Sequence, residues 1–266
     1  MICKICSSSS EQFSSAIILH KHEIKYFKCT LCGYIQTETP FWLEDAYTEA
    51  INRSDVGHVS RNITLSTITK SVITLFYNNS AKFVDFGGGY GMMVRLMRDS
   101  GFDYYRYDRY CENLFAADFE ASKVSDSSYE LLTAFEVFEH LLDPIAEIEQ
   151  MLALSRDIFF STLLLPDDTP DPKSWWYYGL DHGQHVSFFT KQSLTAIADR
   201  FGLKLYTNSR NRMFHLLTNK KLSPRLFDLM TSPAAARFMS LMLRRPSLQQ
   251  DDYHLAIARL SAESVQ

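Results

Sequence analysis

The 266-residue sequence has no apolar run long enough to cross a bilayer, which takes about 20 residues, so no membrane span is expected. It has no excess of positive charge. Its 27 Lys and Arg stand against 31 Asp and Glu, a formal net charge of -4, and this removes the electrostatic footprint that nucleic-acid binding requires. The opening residues Met1-Ile2-Cys3-Lys4 lack the apolar stretch of a secretory signal, so a cytoplasmic protein is expected. Cysteine is scarce, with five in the whole chain. In a reducing compartment these point to metal ligation or free thiols rather than disulfides. Glycine is scarce too, with ten, which makes its placement informative. What the chain does have is 46% hydrophobic residues, enough for a globular protein with a large core.

Four of the ten glycines fall within five positions, at Gly87, Gly88, Gly89 and Gly91. Ahead of them Phe83-Val84-Asp85-Phe86 reads as a buried strand. Behind them Met93, Val94, Leu96 and Met97 restore a helical spacing. Glycine in such a turn allows positive φ and lets a ligand approach the main chain. Strand, glycine turn and helix in succession form a nucleotide-type site at the carboxyl edge of a parallel sheet. A dinucleotide fold wants G-x-G-x-x-G, but counting from Gly87 its third glycine is Met92, which disfavours a nicotinamide oxidoreductase. The pattern present is Asp85-x-Gly87-x-Gly89-x-Gly91. An acid just ahead of the turn repels a pyrophosphate and suits a ligand carrying a cationic amine.

The first forty residues hold two C-x-x-C pairs, Cys3/Cys6 and Cys29/Cys32, with 22 residues between them. Two such knuckles facing each other supply four thiolates in the tetrahedral arrangement of structural zinc. Ala16–Leu19 and Ile24–Phe27 read as strands between the knuckles, so a zinc ribbon is expected. A closed four-cysteine site leaves no open coordination position, which makes its expected role structural. Cys111 has no sequence partner and reads as a free thiol.

Residues 41–80 read as a helical linker, with a short helix over 44–51 and a longer one over 62–77. Tyr47, Asn52 and Arg61 are its polar candidates for facing a ligand. Asp103–Asp108 reads as a second strand, and Asp108, 17 residues beyond Gly91, is placed to accept the hydroxyls of a ribose. Residues 129–135 and 158–164 read as further buried strands. Asp143-Pro144 starts a helix as N-cap and first residue. The stretch from Pro166 to His185 is a long aromatic-rich loop holding Trp175, Trp176, Tyr177 and Tyr178, and loops of this length at a sheet edge are usually functional. Thr190 caps a helix over 191–201 that Gly202 closes. Two final strands, 203–208 and 213–218, precede a helical extension over 221–266. The expected domains are thus 1–40, 41–80, 81–220 and 221–266.

The glycine turn with Asp85 and Asp108, together with Glu136-Val137-Phe138-Glu139-His140-Leu141, resembles the class I S-adenosylmethionine-dependent methyltransferases. The resemblance implies an α/β, Rossmann-like sheet of seven mostly parallel strands and S-adenosylmethionine as cofactor. By position it implies a cofactor site of Asp85, Gly87, Gly88, Gly89, Gly91, Asp108, Asp118, Phe119, Phe135 and Glu136, with Asp118 and Phe119 toward the adenine. His185-x-x-Phe188-Phe189-Thr190, combined with an N-terminal four-cysteine segment, resembles methyltransferases of sugar and natural-product pathways, deoxysugar C-methyltransferases among them. In those a histidine at the position of His185 is proposed as a base. They carry Glu before it, where this chain has Gln184, and a further C-terminal domain that this chain is too short to hold. Methyl transfer to oxygen or carbon benefits from a base near neutral pKa, and the candidates are His185, His182 and His140, in that order. The expected acceptor is a small molecule, with sugars and nucleotide-sugars as candidates, and an oligomer is compatible with the sequence. The competing expectation is a non-catalytic protein of the same fold that uses its ribbon to hold a partner.

Overall fold

A computed structural model describes residues 1–47, 55–121 and 129–263. Asn52 and the second half of the helix expected over 44–51 lie outside these. The chain divides into two compact units, each made of two stretches of sequence. The first comprises Met1–Asp55 and Ala134–Pro224, the second Val56–Thr133 and Arg225–Gln266. These units cut across the four segments expected from the sequence.

The first unit begins with an antiparallel hairpin of β1 (Ser10–Ile18) and β2 (His22–Cys29), paired from Ser10↔Cys29 to Ile18↔His22 with an irregularity between Gln12 and Ser14. Its strands are longer than expected because the cysteine knuckles extend the pairing outward. β3 (Ile35–Thr37) adds to β2. A two-residue strand, Ser187–Phe188, adds to β3, so a stretch expected only to lead into a helix completes the ribbon sheet. Beneath it lies an aromatic core of Tyr26, Trp42, Tyr177, Tyr178 and Phe188. The Trp42 indole donates to the Gly183 carbonyl at 2.8 Å, which satisfies the one polar atom of that ring. Trp42 leads directly into α1 (Leu43–Ala46).

The second unit starts with α2 (His58–Phe76). β4 (Lys82–Phe86) follows, then α3 (Met92–Asp99), β5 (Asp103–Tyr107) and β6 (Leu131–Ala134), whose last residue is the first of the other unit. β4 is parallel to both neighbours, in register Lys82↔Asp103 to Phe86↔Tyr107 and Phe83↔Leu131 to Asp85↔Thr133. Phe83, Val84, Leu131 and Leu132 are fully buried, each worth about 1.5–3 kcal/mol by removal from water. The first unit continues with α4 (Pro144–Leu154), whose N-cap Asp143 accepts from Ala146 N, and β7 (Ile158–Ser161). The Ser187–Phe188 strand is β8. After it come α5 (Lys191–Arg200), β9 (Lys204–Thr207) and β10 (Phe214–Thr218). α5 starts with the reciprocal Thr190–Ser193 capping bonds.

In the second unit β5, β4 and β6 lie in that order, and in the first unit β7, β10 and β9 do, with β10 antiparallel to β7 and β9. These are six strands of mixed direction among the described residues, where seven were expected. Where a third parallel strand was expected, the described residues hold a single parallel bridge, Arg106↔Glu120. The last residues form α6 (Pro224–Met230), α7 (Pro233–Met242) and α8 (Gln249–Glu263). α7 packs on α2, and α8 is fixed by ion pairs. Arg98 of α3 is buried between Asp252 (2.7 Å) and Asp103 (2.7 Å). Among the described residues, no helix is long and apolar enough to cross a membrane.

Candidate active site and cysteine cluster

In the second unit the parallel strands β4 and β5 end together, so the glycine turn and Asp108 share one sheet edge. Gly87 N donates to Tyr107 O at 2.8 Å, and Gly91 N donates to Gly88 O at 2.9 Å, closing the turn. Gly87, Gly89 and Gly91 all take positive φ. At Gly91, φ is 87°, and an added Cβ would stand 2.5 Å from Asn113 Oδ1, so both conformation and space demand glycine. Gly88 has ordinary φ and is fixed by space alone. A Cβ there would meet Arg106 Cγ at 2.9 Å and Asp85 Oδ2 at 3.0 Å.

Asp85 is buried under the turn, where its Oδ1 accepts from the Thr133 hydroxyl at 2.7 Å. Loss of water pushes its carboxyl up to about 7, against the pull of that bond and with the nearby Asp108 charge adding to the rise. Asp108 accepts from Gly89 N (2.9 Å) through Oδ2, and from Tyr110 N (2.8 Å) and Cys111 N (2.9 Å) through Oδ1. It therefore already pins the glycine turn to the following loop. Arg106, which the sequence reading passed over, lies beneath the same turn. It donates to Glu120 Oε1 at 2.8 Å, to the carbonyl of Gly89, and to the carbonyl of Cys111 at 3.0 Å. The signal was the alternation of β5, which puts Arg106 on the buried face with Tyr104. Asp118 and Phe119, expected toward the adenine, are engaged by cations. Asp118 pairs with Arg259 of α8, and the Arg98 guanidinium lies 3.5 Å from the Phe119 ring centre.

In the first unit, Phe135 and Glu136 follow directly after β6. The Phe135 ring packs edge-on against Phe159 at 5.3 Å. Glu136 has φ 54°, a left-handed conformation that costs a non-glycine residue about 1 kcal/mol or more. It is held there by Ser161, whose hydroxyl accepts from Glu136 N at 2.9 Å and donates to its Oε1 at 2.7 Å. A single 3-10 turn, Phe138–His140, follows. The three candidate bases then come together: His185 stands 5.0 Å from His140 and 4.7 Å from His182, ring centre to ring centre. His185 Nδ1 lies 2.6 Å from Tyr177 O, and His140 Nδ1 lies 3.1 Å from Gln184 O. A carbonyl only accepts, so both rings carry their proton on Nδ1 and present a lone pair at Nε2. Tyr47 OH also reaches His140 Nδ1 at 2.9 Å. His182 has the other arrangement, its Nδ1 accepting from Gln184 N at 3.1 Å. Burial holds His140 down to about 4, with His182 adding to the fall, and holds His185 well below the ordinary imidazole value, with His140 and His182 adding to it. All three rings are thus neutral near pH 7.

Glu139 was quoted in the sequence motif without a role. It is fully buried, and neither carboxylate oxygen has a hydrogen-bond partner. Burial and the nearby Glu136 charge raise it to about 8. One ligand atom from each of Glu139, His140 and His185 falls within 4.8 Å of the others. Of the loop aromatics, Tyr177 and Tyr178 belong to the core and only Trp176 is largely exposed, at 77%, so the loop is anchored as well as exposed.

The four knuckle cysteines converge as expected. Cys3–Cys32, Cys6–Cys29 and Cys6–Cys32 sulfurs stand 3.6, 3.5 and 3.6 Å apart. Backbone N–H groups of Ile5, Leu31 and Cys32 point at the sulfurs. Cys32 O also accepts from the Thr190 hydroxyl at 2.6 Å, which ties the knuckle to the start of α5.

The family model for the methyltransferase domain matches residues 64–208, more than half of the chain. The matched span takes in the glycine turn and the three histidines, and leaves out the cysteine segment and α6–α8. A search of curated proteins gave no match. Among solved structures the chain is similar to TnmH, at 15% identity and TM-score 0.44, over 63% of this chain and 59% of that one. It is also similar to an O-methyltransferase family protein from Burkholderia thailandensis, at 12% identity and TM-score 0.45, over 60% and 55%. A third is the magnesium protoporphyrin IX methyltransferase of Synechocystis PCC 6803 with bound SAH, at 16% identity and TM-score 0.43, over 66% and 90%. The chain therefore covers less than two thirds of the first two of these structures.

Proposed function

The chain belongs to the methyltransferase domain family, and from that premise we propose that it is an S-adenosylmethionine-dependent methyltransferase of a small molecule, with a structural zinc ion in its four-cysteine cluster. The observation that carries the reading is the Asp85–Gly91 turn with Asp108 beside it. The turn presents a main chain stripped of side chains at Gly88 and Gly91, where a Cβ would collide. Asp85, Gly87, Gly89 and Asp108 would hold the cofactor. Asp108 has one spare lone pair, on Oδ2, since a carboxylate accepts about four bonds and three are used, two of them on Oδ1. Bound there, the sulfonium supplies an already activated methyl group, so the protein's part is to position the acceptor and exclude water. Where the acceptor must lose a proton, the base is drawn from His185, His182 and His140, with His185 first because its Nε2 lone pair is free. Hydroxyl and carbon acceptors, including those of sugars and nucleotide-sugars, suit this arrangement, and a cytoplasmic setting completes it.

The zinc reading rests on the donor set and its spacing. A tetrahedron with metal–sulfur distances of about 2.3 Å has edges of about 3.8 Å, close to the 3.5 and 3.6 Å between the sulfurs. Cys3, Cys6, Cys29 and Cys32 would hold the ion, which closes the site and stabilises the ribbon.

A non-catalytic reading draws on one observation, that Asp118 and Phe119 are already occupied by Arg259 and Arg98. Titration calorimetry separates the two. The zinc-loaded protein should bind S-adenosylmethionine and S-adenosylhomocysteine but not NAD, and Asp108→Ala should weaken both by on the order of 100-fold while leaving the circular dichroism intact. No binding of either adenosyl ligand by the native chain would sink the proposal.

A further inference from the structure

Glu139 poses a physical problem. A buried carboxyl with no hydrogen bond costs the fold several kcal/mol, and native interiors rarely leave such a group alone. Its polar neighbours are the hydroxyls of Tyr177 and Thr162, which lie near enough to favour its charged form but do not reach hydrogen-bond geometry with either carboxylate oxygen and stand 3.2 Å from one another. What Glu139 does share space with is the pair His140 and His185, one ligand atom of each lying within 4.8 Å of the others. On both rings Nδ1 is committed to a backbone carbonyl. That is the arrangement metal-binding histidines adopt, in which the outer hydrogen bond fixes the tautomer and aims the other nitrogen inward.

We propose that Glu139, His140 and His185 form a second metal site, distinct from the cysteine cluster, that takes a divalent first-row transition ion through two imidazole nitrogens and one carboxylate. The chemistry of the set selects the ion. Nitrogen and oxygen donors without thiolate suit zinc, manganese, iron or cobalt in the divalent state, and a site with three protein ligands leaves positions open. The fold supplies the three ligands from two places. The 3-10 turn after β6 carries Glu139 and His140, and the loop ahead of β8 carries His185. Val186 N, which donates to Glu139 O at 2.8 Å, staples those two segments side by side. The buried carboxylate, the two rings whose Nδ1 is already committed, and the staple bring one ligand atom of each side chain within 4.8 Å of the others.

The open positions of such an ion suit an oxygen of the acceptor, a clause that rests on the methyl-transfer reading. With His185 on the ion, His182 becomes the imidazole left free to take a proton.

Cobalt(II) alone is the probe. Added to the full chain with zinc in its cysteine cluster, it should bind at one equivalent and give a visible spectrum without thiolate-to-cobalt charge transfer. Glu139→Gln and His185→Ala should each weaken this binding by at least about tenfold, the effect that even an outer-shell partner carries, while the cysteine-bound zinc stays in place. Glu139→Gln preserves shape, so it remains decisive if His185→Ala fails to fold. The inference is overturned if the native chain binds no cobalt beyond the cysteine cluster, or if cobalt enters only with a thiolate band. Binding that survives both substitutions overturns it equally. Calorimetry with S-adenosylmethionine on the same sample keeps the questions apart. Cobalt binding without cofactor binding removes methyl transfer and leaves the ion site, and the reverse result removes the ion site alone.

Discussion

The two compact units each bury charged and polar side chains, and they compensate them differently. In the second unit every buried polar group discussed above is answered by the protein itself. Arg98 has Asp252 and Asp103, Arg106 has Glu120 and two carbonyls, and Asp85 has Thr133. In the first unit the buried donors converge on two spots, four sulfurs at one and a carboxylate with two imidazoles at the other. The sulfurs receive backbone N–H groups and the imidazole Nδ1 atoms meet backbone carbonyls, while the Glu139 carboxylate has no hydrogen-bond partner. Internal compensation marks a scaffold that holds a glycine turn in shape, whereas convergence without compensation marks a ligand set.

The sharpest way to break that contrast is Cys29→Ser. If the sulfurs are a ligand set, losing one thiolate releases the ion and with it on the order of 10 kcal/mol. The variant should purify with well under one equivalent of zinc, and the first unit should become protease-sensitive. Full zinc content and an unmoved melting temperature would show that the cysteines compensate each other like the ion pairs of the other unit.

Asp85 offers a smaller and opposite effect. Its folded carboxyl is held up to about 7, above the ordinary 3.8, so the native state keeps a proton that the unfolded chain gives up between those values. The contribution to stability is therefore fully present below about pH 4, falls as pH rises, and is lost above about 7. Asp85→Asn keeps an acceptor for Thr133 and carries no charge. It should be more stable than the native protein above pH 7 by up to about 4 kcal/mol, with the gap shrinking toward pH 5. Denaturant titrations at pH 5 and pH 8 read this, and parallel curves for the two proteins would mean that Asp85 is charged and compensated throughout.

The smallest change is Asp252→Ala. Removing one partner of a buried pair typically costs 3–5 kcal/mol, and about 3 is expected here because Asp103 remains on Arg98. Replacing both members, as Arg98→Met with Asp252→Leu, should recover most of the loss. A double variant as unstable as the single one would make the network more than mutual compensation.

How much of this was legible depended on sequence distance. The glycine turn lies in one stretch, and both its strand and its helix were readable from adjacent periodicities. Cysteine spacing carried the knuckles for the same reason. The histidines could be named but not assembled, since His140 and His185 meet only in the fold, where Val186 N on Glu139 O and His140 Nδ1 on Gln184 O join their segments. Glu139 sat inside a quoted motif and had no signal of its own, because burial without a partner is a property of the fold. Arg106 was missed because a cation in a short strand reads as a solvated face, whereas the pleat turns it inward beside Tyr104. Of the expected seventh strand, the described residues up to Glu120 carry one bridge to β5. The tail was legible as helical, and three helices form there, but its anchors were not, because they join residues about 150 positions apart.

That last separation bears on how the molecule is made. Arg98 leaves the ribosome long before Asp252, which follows it by 154 residues, and the whole later stretch of the first unit is synthesised in between. A nascent chain that has already folded β4, α3 and β5 therefore carries the buried Arg98 cation with Asp103 as its one carboxylate, and the helix that neutralises the rest arrives last. The glycine-turn unit reaches its final electrostatic state only when translation has passed α8, so a ribosome stalled before residue 252 would present a half-compensated core to the cell's quality control.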